Sequence, residues 1–293
     1  MVLHVVDKIE IRSPHDIERE EFFQIYKSGL PNVDPISYDR FLNWWIRSKE
    51  NGTLDSLWRV ARIDNELVGV VINSISESLK WGLIWELAVK PGWRNKGVGE
   101  SLVRESQKLL LQKNPALTHF ALGVKAHNQR VLPFYERLGY GVRTLVVCCR
   151  GPSCFATVEN TTLKSATSND MHHLTKLKPD SYWSSRDADG WLRVIQEPEA
   201  YAVRIQKKNT LIGFLRFEHD DGYENTTAVN FAFKTGYGVE VIKSASNHVG
   251  AGYITFWVQV DHQDILEYLY DNSFQYVESE YLLLKKISLH KQS

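Results

Sequence analysis

Glu86 to Leu110 reads ELAVKPGWRNKGVGESLVRESQKLL. A run of bulky apolar residues stops at Pro91, glycines follow at 97 and 99, and a long amphipathic segment begins at once. The stretch WGLIWELAVKP, from Trp81, has the composition of a buried strand, whereas Leu102, Val103, Ser106, Leu109 and Leu110 recur on one face of a helix. A strand, a glycine turn and a helix in that order set a row of amide N–H groups at a helix N-terminus. Such a row carries roughly half a positive charge and suits a phosphate or a diphosphate. Gly97 and Gly99 are expected to clear space for that anion, and Arg94 to add a fixed cation.

Two other phosphate loops fail at named positions. A Walker loop needs G-K-[ST] at the second glycine, and here Glu100 and Ser101 follow Gly99. A dinucleotide fingerprint needs a small residue where Leu102 stands, and an acid about 20 residues on, where the chain has His119 and Phe120.

The chain of 293 residues exceeds the usual single-core size. Its pattern repeats. DKIEIRSPHDIEREEFF, from Asp7, has a β-rich run, then Pro14 for the first helical turn and Asp16 to receive its free amides; ENTTLKSATSNDMHHL, from Glu159, repeats the design with Thr167 and Asp170. WRVARIDNELVGVVI and YAVRIQKKNTLIGFLRF both read as hairpins, with Asn65, Leu67 and Gly69 matched by Asn209, Leu211 and Gly213. AHNQRVLPFYERLGYGV and VDHQDILEYLYDNSFQYV form a third pair. Three matches in one order imply duplication. Domains of 1–150 and 151–293 are expected, with Gly151-Pro152 as the breaker.

Lysine plus arginine and aspartate plus glutamate both number 35, which argues against a nucleic-acid partner. The N-terminus reaches charge within a few residues, and no apolar run nears the ~20 residues of a membrane span. Cys148, Cys149 and Cys154 are too few and too clustered for a disulfide framework, and the histidines share no ligand spacing. A reduced, cytoplasmic protein without a metal is the expectation.

VKPGWRNKGVGESL, from Val89, resembles motif A of the GNAT superfamily of N-acetyltransferases, [R/Q]-x-x-G-x-[G/A] after a V-x-P strand end, filled by Arg94, Gly97 and Gly99. NQRVLPFYERLGY, from Asn128, matches the family's second element with Val131, Phe134, Tyr135, Gly139 and Tyr140 in register. The resemblance implies a mixed α/β fold: two tandem GNAT-like domains, each a central mixed, mostly antiparallel sheet flanked by helices. It implies acetyl-coenzyme A as cofactor, its diphosphate on the amides of Asn95, Lys96, Gly97, Val98, Gly99 and Glu100, and its pantetheine arm along the backbone of Leu87 and Val89. Asn128 is either a further cofactor contact or simply a helix N-cap. Tyr135 matches the family's general acid. Glu86 is a candidate base, with an ordered water chain as the alternative.

The acceptor implied is a primary amine of a small molecule, amino acid or peptide, and the tandem arrangement implies a monomer or weak dimer. Trp44, Trp45, Tyr26 and Phe23 either line an aromatic acceptor pocket or fill the core, while Asp39 and Glu20 either hold a cation or face solvent. In the second half Gly236 and Gly238 fall over Gly97 and Gly99, but Phe233, His262 and Leu269 fall over Arg94, Asn128 and Tyr135. That half is expected to be degenerate and non-catalytic. A non-catalytic acyl-coenzyme A sensor is the rival reading for the whole chain.

Overall fold

The computed structural model describes residues 9–29, 36–153, 158–178, 188, 191–192, 201–220, 223, 225–245, 249 and 252–288. In the first half the elements are β1 (Glu10–Arg12), α1 (Arg19–Gly29), α2 (Tyr38–Glu50), α3 (Thr53–Leu57), β2 (Trp58–Ile63), β3 (Glu66–Ser76), β4 (Trp81–Val89), α4 (Val98–Lys113), β5 (His119–Lys125), α5 (Leu132–Arg137) and β6 (Gly141–Pro152). The second half supplies β7 (Thr161–Ser165), β8 (Tyr201–Lys207), β9 (Thr210–His219), β10 (Thr226–Phe233), α6 (Gly238–Ala245), β11 (Tyr253–Gln259), α7 (Gln263–Asp271) and β12 (Gln275–Lys286).

Among the described residues the strands form one twelve-stranded sheet, in the order β1-β2-β3-β4-β5-β12-β6-β11-β10-β9-β8-β7. Only β4–β5 and β10–β11 are parallel there. The order is a pseudo-twofold about the antiparallel β6–β12 pair, and each half sends its last strand into the other. Thus β12 lies against β5, and β6 against β11. Gly151-Pro152, read as a breaker, belongs instead to β6, paired with Ile254 and Tyr253. Pro152 is the last residue of that strand, where a missing N–H costs least.

The two hairpins form for the same reason. Asp64 and Asn65 have φ of 48° and 66°, Lys208 and Asn209 of 47° and 63°, the double left-handed signature of a type I′ turn. Each carries a bulge at matching positions, after Ala61 and after Ile205. Gly69 lets α4 lie close to β3, since a Cβ there would stand 2.9 Å from Leu102 and Val98. Gly213 does the same beneath Val241 of α6.

On one face of the first half, Phe22, Phe23, Tyr26, Phe41, Trp45 and Trp58 pack under α1 and α2. The aromatic residues weighed as a pocket are therefore mostly core, and Glu20 and Asp39 face solvent. On the other face α4 covers Val68, Val71, Phe120 and Leu122. Cys148 and Cys149 are buried on β6, and burial pushes the Cys148 thiol up. Cys154 lies outside the described residues. No helix among the described residues is long and apolar enough to cross a membrane.

The start of α1 departs from expectation. Asp16 does not cap; it accepts from the Trp45 indole and pairs with Lys49. The reciprocal cap comes from Glu18, which accepts from the His15 amide at 2.8 Å and from Arg12 at 2.7 Å and Arg62 at 2.5 Å. In the second half Asp170 caps Thr167 as expected and pairs with Arg204 at 2.9 Å. Burial alone would raise the Glu18 carboxyl, but bonds from Arg12 and His15 and the charges of Arg12 and Arg62 hold it at about 2. A depressed folded pKa contributes stability above the unfolded value of about 4.3 and loses it as pH falls. Chemical denaturation of Glu18→Gln should show a loss of about 3–5 kcal/mol at pH 7, with the gap to the parent closing between about pH 4.5 and 2.

Candidate active site

The site begins where two strands part. β4 and β5 pair in parallel from Trp81–His119 to Ile84–Leu122 and no further. At that point β4 carries a bulge: Ile72 faces Glu86 and Asn73 faces Ile84, leaving Trp85 unmatched. Trp85 is half exposed and its indole donates to Ser74 Oγ at 2.6 Å. A bulge adds twist and turns a strand away from its neighbour. Beyond it, Glu86 to Val89 pair only with β3 among the described residues, which leaves their β5-facing edge open.

A cleft of about 1140 Å³ fills the opening. Eight of the sequence-predicted residues line it directly: Glu86, Leu87, Val89, Arg94, Asn95, Gly97, Gly99 and Glu100 on one wall, with Asn128 and Tyr135 opposite making ten in all. Lys96 and Val98 do not. Lys96 Nζ sits 4.6 Å over the Trp93 ring, and Val98 is buried under α4.

The turn before α4 works differently from the expectation of clearance at both glycines. Gly97 has φ of 83° with nothing near its missing Cβ, so glycine is required there by conformation. At Gly99 a Cβ would make ordinary 3.7 Å contacts with Phe134 and Val89, so a larger side chain would enter the cleft. Ser101 N is bonded to Gly97 O at 3.0 Å, and the Val98, Gly99 and Glu100 amides precede it in the first turn, without helical acceptors. Arg94 is less free than its motif suggests. Its Nε donates to Val89 O and its Nη2 to Gly29 O, both at 3.2 Å, bracing the end of α1 against the strand. Asn128 is no N-cap: it sits inside a 3-10 turn and its carboxamide oxygen accepts from Arg130 at 3.2 Å.

Glu86 and Tyr135 come from opposite walls, one from β4 and one from α5. Burial, the nearby charge of Glu280 and, in opposition, Lys125 bring the Glu86 carboxyl to about 8. Burial, with smaller effects of Tyr140 and Glu86, pushes the Tyr135 phenol up, so that it stays protonated across the physiological range. Its ring makes edge contacts with Phe134 and Tyr140 at 4.9 and 5.9 Å. Sequence reading missed Lys125 and Glu280, which also line the cleft. Glu280 stands near the far end of the chain, and only strand exchange brings it here.

In the second half, register corrects one correspondence. Phe233 faces Gly213 as Val89 faces Gly69, so Phe233 takes the place of Val89, not of Arg94. The link to the left-handed glycine is eight residues from Val89 to Gly97 and three from Phe233 to Gly236, and the arginine has no counterpart. Leu269 takes the place of Tyr135, as the bonds from Tyr140 N to Tyr135 O and from Phe274 N to Leu269 O show.

The comparisons with known proteins agree with this fold. The model of the acetyltransferase (GNAT) family matches residues 19–140. An uncharacterized N-acetyltransferase of Archaeoglobus fulgidus is 28% identical over 138 residues, covering 43% of this chain and 89% of its own. One of Methanocaldococcus jannaschii is 22% identical over 156 residues, covering 50% and 66%. The fold of the whole chain is similar to a GCN5-related N-acetyltransferase from Sphaerobacter thermophilus, with TM-score 0.66, 13% identity and 95% of both chains covered. It is also similar to a tandem GNAT protein from the clavulanic acid biosynthesis pathway, with TM-score 0.61, 12% identity and 95% and 98% covered. Residues 19–140 match the acetyltransferase (GNAT) family, in a chain with the fold of tandem GNAT proteins, and these likenesses support an acyltransferase.

Proposed function

We propose that the first half transfers an acetyl group from acetyl-coenzyme A to a primary amine of a small molecule, amino acid or peptide by direct attack on the thioester. The observation that carries this reading is the convergence of Glu86 and Tyr135 on one cleft, with an open strand edge between them. The residues present fit the carrier. The unpaired first-turn amides of Val98, Gly99 and Glu100 suit its diphosphate, the space in front of Gly99 admits it, and the edge at Leu87 and the Val89 amide, unpaired with β5, suits its amide-rich arm. When bound, acetyl-coenzyme A supplies an acyl group already activated as a thioester.

The chain's own residues then do three things. Glu86, ionised above about pH 8, takes the proton that an alkylammonium must lose before its nitrogen has a lone pair. Tyr135 holds a proton on its phenol oxygen for the departing sulfur. The walls of the cleft hold the amine and the carbonyl together, which lowers a bimolecular barrier by up to ~7–11 kcal/mol.

The second half is read as non-catalytic because its own chain fills the matching places. Phe233 N and O exchange 2.8 Å bonds with Lys178, so the edge equivalent to Val89 is already paired. A Cβ at Gly238 would meet Ile265 at 2.7 Å and Phe233 at 3.2 Å, where one at Gly99 would make only ordinary 3.7 Å contacts. β10 has no bulge, and Asn230 stands in the register of Glu86.

Three outcomes are expected. Calorimetric titration with coenzyme A should give one site per chain, and Gly99→Val should remove it without unfolding the protein; two sites would return a cofactor role to the second half. With an amine panel, thiol release should fall on the acid side of about pH 8, and Glu86→Gln should lower kcat by about 10²–10⁴ while removing that limb. Tyr135→Phe should slow release by a similar factor with coenzyme A affinity kept within about twofold; a variant as fast as the parent excludes the phenol from the reaction, and binding without release for any amine favours a sensor.

A further inference from the structure

Glu280 enters the first half's cleft on β12, a strand of the second half, through its pairing with β5. Its carboxylate lies over Gly123: a Cβ at that glycine would overlap Glu280 Oε1 and Cδ. Any side chain at 123 would displace that carboxylate, although the backbone there is ordinary strand. Among the described residues neither Glu280 nor Glu86 makes a hydrogen bond or an ion pair. The nearest cation, Lys125, is already bonded to Glu278 at 2.7 Å and lies 4.6 Å over the Trp257 ring. The matching positions in the other half, by the same register, are Val146 for Glu280, Gln259 for Lys125 and Asn230 for Glu86. No charge remains there. The cluster belongs to the working cleft alone.

We propose that Glu280 is a positioning residue through which the second half sets the base strength of Glu86. Two carboxylates with no cation of their own share one poorly solvated cleft, and the proton-free state of one disfavours that of the other. Every group facing Glu86 fits this assignment. Tyr26 of α1 and Tyr135 of α5 are raised by burial and stay neutral, Lys125 of β5 opposes the effect, and Glu278 of β12 offsets Lys125. Burial does most to strengthen Glu86 as a base, and Glu280 is the nearby charge that adds to it. The second half thus acts on the reaction through the charge of Glu280.

This proposal rests on the transferase reading only for its use; the charge coupling exists in the protein alone, and the experiment separates them. In the carrier-free protein with ¹³C-labelled glutamate carboxyls, the resonance lost in Glu86→Gln identifies Glu86 and its titration is followed. Glu280→Gln, which keeps shape and removes charge, should move the Glu86 midpoint to lower pH by about one unit, a tenfold change in proton affinity. Gly123→Ala, which displaces the carboxylate without deleting it, should move it the same way, and Glu280→Asp should keep most of the parent value. In turnover the acid limb of kcat/KM should follow the same shifts. A Glu86 midpoint that stays in place or rises in Glu280→Gln overturns the proposal, whether or not the protein acetylates any amine tested; a titration that moves while Glu86→Gln retains full activity leaves the coupling standing and removes Glu86 as base.

Discussion

The separation of β4 from β5 is the constraint on which the rest of the site depends. Parallel pairing ends at Ile84 and Leu122, and the unmatched Trp85 turns β4 aside. Closed pairing would bury the edge of Glu86 to Val89 in a ladder, leave no cleft and separate α5 from β4 by a filled sheet. Because the strands part, a backbone edge is offered to a ligand, an acid is placed at the fork, and a tyrosine from the far wall faces it. β10 and β11 also stop pairing early, after Val229 and Phe256, but without a bulge. There Lys178 takes the edge, as buried backbone donors and acceptors require.

The exchange of β6 and β12 explains how two halves with unequal sites persist as one molecule. Neither half completes its own sheet: the strand beside β5 comes from the end of the second half, and the strand beside β11 from the end of the first. The β12 contribution does not depend on a site in the second half, since β12 is held by ladders on both sides and by Leu282 and Leu283 in the core. Apolar periodicity there answers to packing, whereas the places of Asn128 and Tyr135 hold His262 and Leu269.

Much of this was legible in the sequence because it is local. Type I′ turns announce themselves at Asp64-Asn65, the left-handed Gly97 precedes a helix with a clean apolar face, and the spacing from Asn128 to Tyr140 fixes α5 against the sheet. What was not legible depends on distant parts of the chain. Which carboxylate caps α1 was decided by Arg62, far along at the end of β2. The partner of β5 was decided by topology, so Glu280 gave no local signal; the one clue was a glycine at 123 in the middle of an otherwise ordinary strand. Arg94 reads as a free cation because a motif shows type and spacing but not the carbonyls of Ser28 and Gly29 that wait for it.

The placement of β12 has a consequence for how the protein is made. Residues 275–286 lie between strands ending at residues 125 and 152, so the longest-range pairing in the sheet joins β12 to β5, a strand made far earlier. During translation the first half emerges with a gap beside β5 and an unpaired strand, β6, at its side. Such edges recruit other strands, and high contact order slows their closure. The cleft therefore acquires its last wall only once β12 has been made and has paired with β5.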